Sequence, residues 1–236
     1  MPTAAEPFGS VRDRAVYLPD AGTLVAADLH LGRAEVSGVD APVDQGPAIV
    51  DRLLALVERF DPTTVVLAGD VLDAFDRVPR AARHALGALR AGLDAADTDL
   101  VTLAGNHDTQ LAALAGDSPA RVHQLADGTV VCHGHERPAT AGARYVVGHD
   151  HPVIDIEGRR RPCYLFGPEA YEGADVLGLP AFNRSLRGTA VNGWRDGDPL
   201  SPLLAEVSRY RPVVRDAEAD ETLVFPTLDA MRPFLG

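Results

Sequence analysis

Six of the eight histidines in this 236-residue chain fall in four short stretches, each directly after an apolar run. A fifth apolar run ends in a carboxylate. "TLVAADLH" closes on Asp28 and His30, and "TVVLAGD" on Asp70. "VTLAGNHD" closes on Asn106, His107 and Asp108, "GTVVCHGH" on His133 and His135, and "YVVGHDH" on His149, Asp150 and His151. Polar groups gathered where a core ends cost free energy unless each finds a partner. Cations would be such partners. Mixed imidazole and carboxylate donors suit Mn²⁺, Fe or Zn²⁺ and do not suit the all-oxygen cages of Ca²⁺. Seven or eight donors are too many for one ion and fit two ions sharing a carboxylate, about 3.5–4 Å apart. In Asp28-x-His30 and His149-x-His151, alternate residues of an extended segment lie on the same side, so both can reach one metal region. Glycines before Asp70, Asn106 and His149 allow tight turns that bring ligands together.

The elements that must position these groups follow an α/β order of strand, loop, helix and strand. In open α/β sheets ligands bind beyond the carboxyl ends of the strands, so the five polar stretches are expected to converge on one crevice. Asp44 is placed to cap a helix running through Phe60, with Ile49, Leu53, Leu56, Val57 and Phe60 on one face. Pro79 is placed to open a second helix with Ala82, Leu86, Leu89 and Leu93 as its stripe and His84 in solvent. A short helix is expected after Asp108 through Leu111 and Leu114. "VIDIEG" alternates like a half-exposed strand, "RRRPCYLFG" is its expected hairpin partner, and "ETLVFPTL" reads as a late strand. Between them Gly, Pro and Asn are dense through Trp194, which predicts loops and no long helix. Residues 1–236 read as a single domain.

Composition bounds the rest. Apolar residues make up 46% of the chain and charged residues 24%, the balance of a soluble globular protein with a real core. No apolar run approaches the roughly 20 residues that cross a membrane. The N-terminal stretch lacks the basic-then-apolar order of a secretory signal, which predicts a cytoplasmic protein and no membrane partner. Cys132 and Cys163 are read as small core residues without a disulfide. The net charge is −12, and every basic residue is arginine. An acidic, lysine-free surface suits a protein working in high salt, and a GC-rich genome would produce the same bias.

D-x-H, G-D-x-x-D, G-N-H-D, H-G-H and G-H-x-H occur here at Asp28–His30, Gly69–Asp73, Gly105–Asp108, His133–His135 and Gly148–His151. That ordered set resembles the calcineurin-like metallophosphoesterase superfamily. "DLHLG", "GHDHP" and "LPAFN" are similar to the small archaeal and bacterial phosphoesterases, including the ligase-associated DNA-damage-response phosphoesterases. The resemblance implies a four-layer α/β/β/α fold, a β-sandwich of two mixed sheets flanked by helices. It implies Asp28, His30 and His151 on a first metal, Asn106, His133 and His149 on a second, and Asp70 bridging the two. The ions would be Mn²⁺, with Fe, Zn²⁺ or Ni²⁺ as alternatives, and a hydroxide between them would attack phosphorus. His107 would protonate or hydrogen-bond the leaving oxygen, with Asp108 holding its ring.

Asp73 and Asp150 are expected to support the site or be structural. His135 either lines the site or backs a ligand, and Arg33 either contacts phosphate or is solvated. Arg159, Arg160 and Arg161 are either a charged hairpin tip or a contact for a nucleic-acid backbone. The expected activity is hydrolysis of a phosphodiester substrate, DNA, RNA or a nucleotide, with self-association into a homo-oligomer left open. Protein phosphatases of the superfamily carry G-D-x-V-D-R-G and G-N-H-E, where this chain has GDVLDAF and GNHD. A phosphomonoesterase with the same centre, or a non-catalytic scaffold of the same fold, are the alternatives.

Overall fold

The computed structural model describes residues 8–33, 45–73, 78–115 and 119–234. The chain opens with a hairpin, β1 (Ser10–Arg12) and β2 (Ala15–Leu18), turned by Asp13 and Arg14 with φ of 45° and 71°. Two left-handed residues match the right-handed twist of the flanking strands. β3 (Thr23–Ala26) pairs antiparallel with β2. The chain then crosses through helix α1 (Gly46–Phe60) to β4 (Thr64–Leu67), and through helix α2 (Arg80–Ala95) to β5 (Asp99–Thr102). β3, β4 and β5 are parallel, giving a mixed sheet in the order β1-β2-β3-β4-β5.

Both helices form where periodicity predicts them. α1 buries Ile49, Leu53, Leu56 and Val57, carries Pro47 in its first turn and ends at Asp61. The Asp61 residue turns left-handed and its N–H returns to the Val57 carbonyl. Asp44 lies outside the described residues, and Gln45 is the cap, its side chain not closing the helix end. Pro79 is the N-cap of α2, one residue before the helix, whose buried stripe is Ala82, Leu86, Leu89 and Leu93; His84 is exposed. A one-turn helix, α3 (Ala112–Ala115), follows Asp108 as expected.

The second sheet begins with β6 (Val122–Gln124), β7 (Thr129–Cys132) and β8 (Arg144–Val147). Next comes the hairpin β9 (Pro152–Ile156) and β10 (Arg159–Pro162), which belongs to a separate three-stranded sheet. β11 (Tyr164–Tyr171) and β12 (Ala174–Gly178) return to the second sheet. β13 (Thr189–Ala190) pairs with β9, and β14 (Arg211–Asp216) and β15 (Glu221–Val224) finish the large sheet. Its seven strands run β15-β14-β11-β12-β8-β7-β6, parallel only at β7-β8 and β8-β12. "RRRPCYLFG" is therefore divided between two sheets at Cys163, rather than forming one hairpin strand.

Side chains alternate across the strands, and that alternation builds the layers. Leu24 and Ala26 of β3, with Val65 and Leu67 of β4, face the helices. Val25 and Val66 face inward, against Val131 of β7, Val146 of β8 and Leu177 of β12. Val130, Tyr145 and Val176 point to the far side of the second sheet. There they meet Trp194, Leu203, Leu204, Tyr210 and a last one-turn helix, α4 (Leu228–Met231). The result is the layered sandwich that the resemblance implies, with long helices on one face. Turns, the small sheet and α4 cover the other. No helix among the described residues is long and apolar enough to cross a membrane.

Candidate metal centre

Each of the five polar stretches begins immediately beyond the carboxyl end of its strand. β3, β4 and β5 contribute from the first sheet, and β7 and β8 from the second. The crevice therefore lies where two sheets meet, and is not the edge of one open sheet. Beyond their strands the loops after β3 and β4 keep pairing: His30 N–H donates to the Asp70 carbonyl at 2.9 Å, and Leu31 N–H to that of Val71 at 2.9 Å. Asp28, His30, Asp70, His149 and His151 all have positive φ, between 45° and 77°. Left-handed backbone is uncommon for such residues, and five in one cluster mark strain held in place by the surrounding fold.

Two glycines allow the close approach that the spacing anticipates. A Cβ on Gly105 would stand 2.1 Å from Asp70 Oδ1, and one on Gly69 would stand 2.6 Å from the His133 ring. Neither contact is physically tolerable, so the backbone can come this near only without a side chain.

Three groups of donors each place ligand atoms within 4.8 Å of one another: Asp28, His30 and His151; Asp70, His133 and His149; and, at the rim, His30, Asp73 and His107. The first two hold donors expected to be ligands. Asp70 Oδ2 joins them, 3.6 Å from His30 Nε2 and 3.4 Å from His133 Nε2. His133 Nδ1 donates to the Ala68 carbonyl at 3.1 Å, which leaves Nε2 as the lone-pair nitrogen of the neutral ring. That Nε2 is 3.1 Å from Asn106 Oδ1 and 3.1 Å from His149 Nδ1. Two donors bound at about 2.1 Å in adjacent positions of one ion lie about 3 Å apart, so the spacing fits a shared cation. Among the described residues, both ring nitrogens of His30, and His151 Nε2, are buried without a hydrogen-bond partner, although His151 Nε2 is 3.1 Å from Asp28 Oδ1. Orphaned nitrogens this deep are costly unless something else fills the place, and a cation does. The residues present fit two divalent metals.

Charge is arranged to match. Burial opposes ionisation of Asp28 and Asp70, yet His151 and His133 beside Asp28, and His133 beside Asp70, hold both carboxyls below the ordinary range. Burial likewise disfavours the His133 cation, but Asp70 and Asp28 outweigh it and push its pKa up to about 9. His149 is pushed down to about 4 by burial and by the neighbouring His133 charge.

At the rim, Asp73 stands where the supporting role expected of it would place it. Its Oδ1 is 3.4 Å from His107 Nδ1 and 3.9 Å from His30 Nδ1, and its Oδ2 accepts from Arg33 Nη1 at 3.1 Å. Asp108 is placed otherwise than the resemblance implies. Its two oxygens accept the N–H groups of Leu72 at 2.8 Å, Gly105 at 2.9 Å and Val71 at 3.2 Å. The turn at 105–108 directs that carboxylate inward, onto backbone, so it ties the second and third loops together and Asp73 faces the His107 ring. The three-residue step from Asp70 to Asp73 was the available signal. Asp150 similarly accepts from the N–H of Leu200 at 2.7 Å and Ser201 at 3.0 Å, fastening a distant loop to the site. His135 stands beside the cluster, its ring 5.3 Å from His133 and 6.0 Å from His149, and lines the site. Cys132 and Cys163 are free and buried, and burial pushes the Cys132 thiol up to about 12, which keeps it neutral.

A β-sandwich carrying an imidazole–carboxylate cluster where its sheets meet has the architecture of the metallophosphoesterases. A sequence profile of the calcineurin-like phosphoesterase family matches residues 23–177, and the chain belongs to that family, whose members hydrolyse phosphoric esters. Among solved structures, a Pseudomonas putida nuclease, MPE, superposes with a TM-score of 0.62 at 22% identity, over 90% of this chain and 92% of that one. Yfce, a phosphoesterase from E. coli, gives a TM-score of 0.45 at 14% identity, over 87% of this chain and 98% of that one. No curated protein matches the chain.

Proposed function

We propose that the protein hydrolyses phosphodiesters, of nucleic acid or nucleotides, at a centre of two divalent cations. Asp28, His30 and His151 hold the first, Asn106, His133 and His149 the second, and Asp70 both. Mn²⁺ is the metal we assign, and Fe, Zn²⁺ and Ni²⁺ suit the same donors. Cations bound there lend positive charge to the phosphoryl group and make water acidic enough to serve as nucleophile near neutral pH. His107, with a side chain 32% exposed at the rim, donates a hydrogen bond or proton to the leaving oxygen. Asp73, held by Arg33, positions the His107 ring from 3.4 Å.

The observation that carries the diester reading is the engagement of Arg33. Among the described residues, the five loops hold only Arg33 and Arg137 as cationic side chains besides their histidines, and Arg33 is paired with Asp73 at 3.1 Å. A monoester brings a second negative charge that asks for a further cation within these loops, and a diester does not; the arginines beyond His151 stand outside them. The name of the Pseudomonas putida fold relative, a nuclease, is in keeping with a nucleic-acid substrate. Steady-state assays of the Mn²⁺-loaded protein are expected to give a higher kcat/KM for bis-p-nitrophenyl phosphate than for p-nitrophenyl phosphate. A clear monoester preference overturns the reading.

A further inference from the structure

Immediately beside the cluster, His151 also lines a cleft of about 220 Å³. Arg14, Arg160 and Arg187 line it, and among the described residues no carboxylate does. In a chain of net charge −12 this is a local inversion of sign. The cleft is smaller than the ~300–1,000 Å³ of small-molecule pockets, so charge rather than enclosure must do the recognising.

The arginines are positioned by the fold. Gly188, at φ +65°, runs so close to β9 that a Cβ would stand 2.5 Å from the His151 carbonyl oxygen. Thr189 N–H donates to that carbonyl at 3.0 Å, which fixes the Arg187–Thr189 segment alongside the metal cluster. Arg160 projects from β10 toward the same segment, its Nη1 donating to the Arg187 carbonyl at 3.4 Å and its Nε pairing with Asp155 at 3.4 Å. Arg187 is exposed and carries no ion pair among the described residues. Arg14 is anchored by the carbonyls of Ala181 and Asn183 at 3.1 and 3.2 Å. Burial and then the charges of Arg52 and Arg184 lower its pKa to about 10, so it stays charged at neutral pH. The strip continues: a second cleft of about 230 Å³ shares Arg14, Pro162 and Pro180 with the first and adds Arg184 and Arg215. Around its carboxylate, Asp13, stand three arginines, Arg14, Arg52 and Arg184.

We propose that the Arg14–Arg160–Arg187 cleft is a phosphate subsite that grips a polynucleotide strand one or more linkages from the bond being cut. The inference rests on the diesterase reading and adds that the substrate carries flanking phosphates. Arg160 alone of the 159–161 triplet serves it: Arg161 pairs with Asp216 at 3.1 Å, and Arg159 is exposed and lies outside the cleft.

The test uses the full chain loaded with Mn²⁺. Binding of a fluorescent single-stranded oligonucleotide is followed by anisotropy, in a His107→Asn background to suppress cleavage. Arg160→Gln combined with Arg187→Gln is expected to weaken binding about tenfold or more, the scale of a charge-assisted contact. The slope of log affinity against log salt should fall by roughly one per arginine removed. Arg159→Gln, on the same strand, should change both far less than Arg160→Gln does. Without the background change, the paired variant should raise KM for the oligonucleotide by a larger factor than KM for bis-p-nitrophenyl phosphate, which has no flanking phosphate. Unchanged oligonucleotide affinity and salt slope, or equal effects of Arg159→Gln and Arg160→Gln, overturn the subsite. If the parent protein hydrolyses no diester while the paired variant still loses oligonucleotide binding, the diesterase reading falls and the subsite stands.

Discussion

One oxygen, Asp70 Oδ2, stands within 3.6 Å of a histidine from each donor group, which makes this carboxylate the hinge of the centre. His107 is a different kind of residue in the proposed reaction, where its task concerns the leaving group. We expect His107→Asn to keep both metals and lower kcat by about 10²–10⁴, the range of general acid–base catalysis. Asp73→Asn should lower kcat in the same direction and less far, because a positioning partner is lost and the proton donor remains. Both losses should shrink for substrates with a good leaving group, which need little protonation. Metal analysis beside the kinetics decides the matter: loss of a cation from His107→Asn would make it a ligand. The gathering of these donors was legible in the sequence, because imidazoles and carboxylates after β-branched runs have few bland explanations. The partner of His107 was not. Asp108 is its chain neighbour, and only the course of the 105–108 turn reveals that its oxygens face the amides of Val71, Leu72 and Gly105.

The elements show why these loops tolerate so little change. Five left-handed residues cost on the order of 1–3 kcal/mol each, and the cross-loop hydrogen bonds from His30 to Asp70 and from Leu31 to Val71 hold them there. Gly105→Ala is the sharpest probe. Its Cβ would fall 2.1 Å from Asp70 Oδ1 and 2.3 Å from Asp70 N, with backbone on one side and a ligand on the other. Displacement of the bridging carboxylate by a substantial fraction of an ångström should reduce kcat/KM about 10²-fold or more. Far-ultraviolet circular dichroism should stay native, because the strands end before this turn. Near-parental activity would mean that Asp70 does not need its present position. The strands carrying ligands were readable because each is an apolar run with an abrupt polar end. β12, β14 and the second half of β11 were not. β11 was read only as far as the end of "RRRPCYLFG"; from there Gly167 and Pro168 lie beside a register shift and the glycine packs against the Tyr210 ring, so the run reads as loop. β14 lies in a stretch with no alternation and owes its place to pairing with β11 and β15.

For the whole molecule, the centre is also a clasp. Its donors come from β3, β4 and β5 in one sheet and from β7 and β8 in the other, so cations bound there tie the two halves of the sandwich. Chelation should therefore abolish activity and also lower Tm, with both restored by Mn²⁺. The size of that change should depend on pH, and the sign follows from His133. Without metal its folded pKa is about 9, above the ordinary histidine value of 6.5. The metal-free fold thus gains stability from the protonated ring below about pH 6.5 and loses it as pH rises through 9. As a proposed metal ligand the same ring would have to be neutral in the loaded fold, so binding should expel a proton at pH 7–8. His149, held down at about 4, is already neutral and contributes none. The stability gap between loaded and metal-free protein should therefore widen with pH at fixed free metal. One expelled proton corresponds to about 1.4 kcal/mol, or roughly 3–6 °C of Tm, per pH unit. The widening should level off above pH 9. Differential scanning calorimetry of the two forms from pH 6.5 to 9.5, at constant free Mn²⁺, measures it. A gap that stays constant across that range would mean that His133 is not a metal ligand, or that Asp70 and Asp28 do not hold its proton in the metal-free fold.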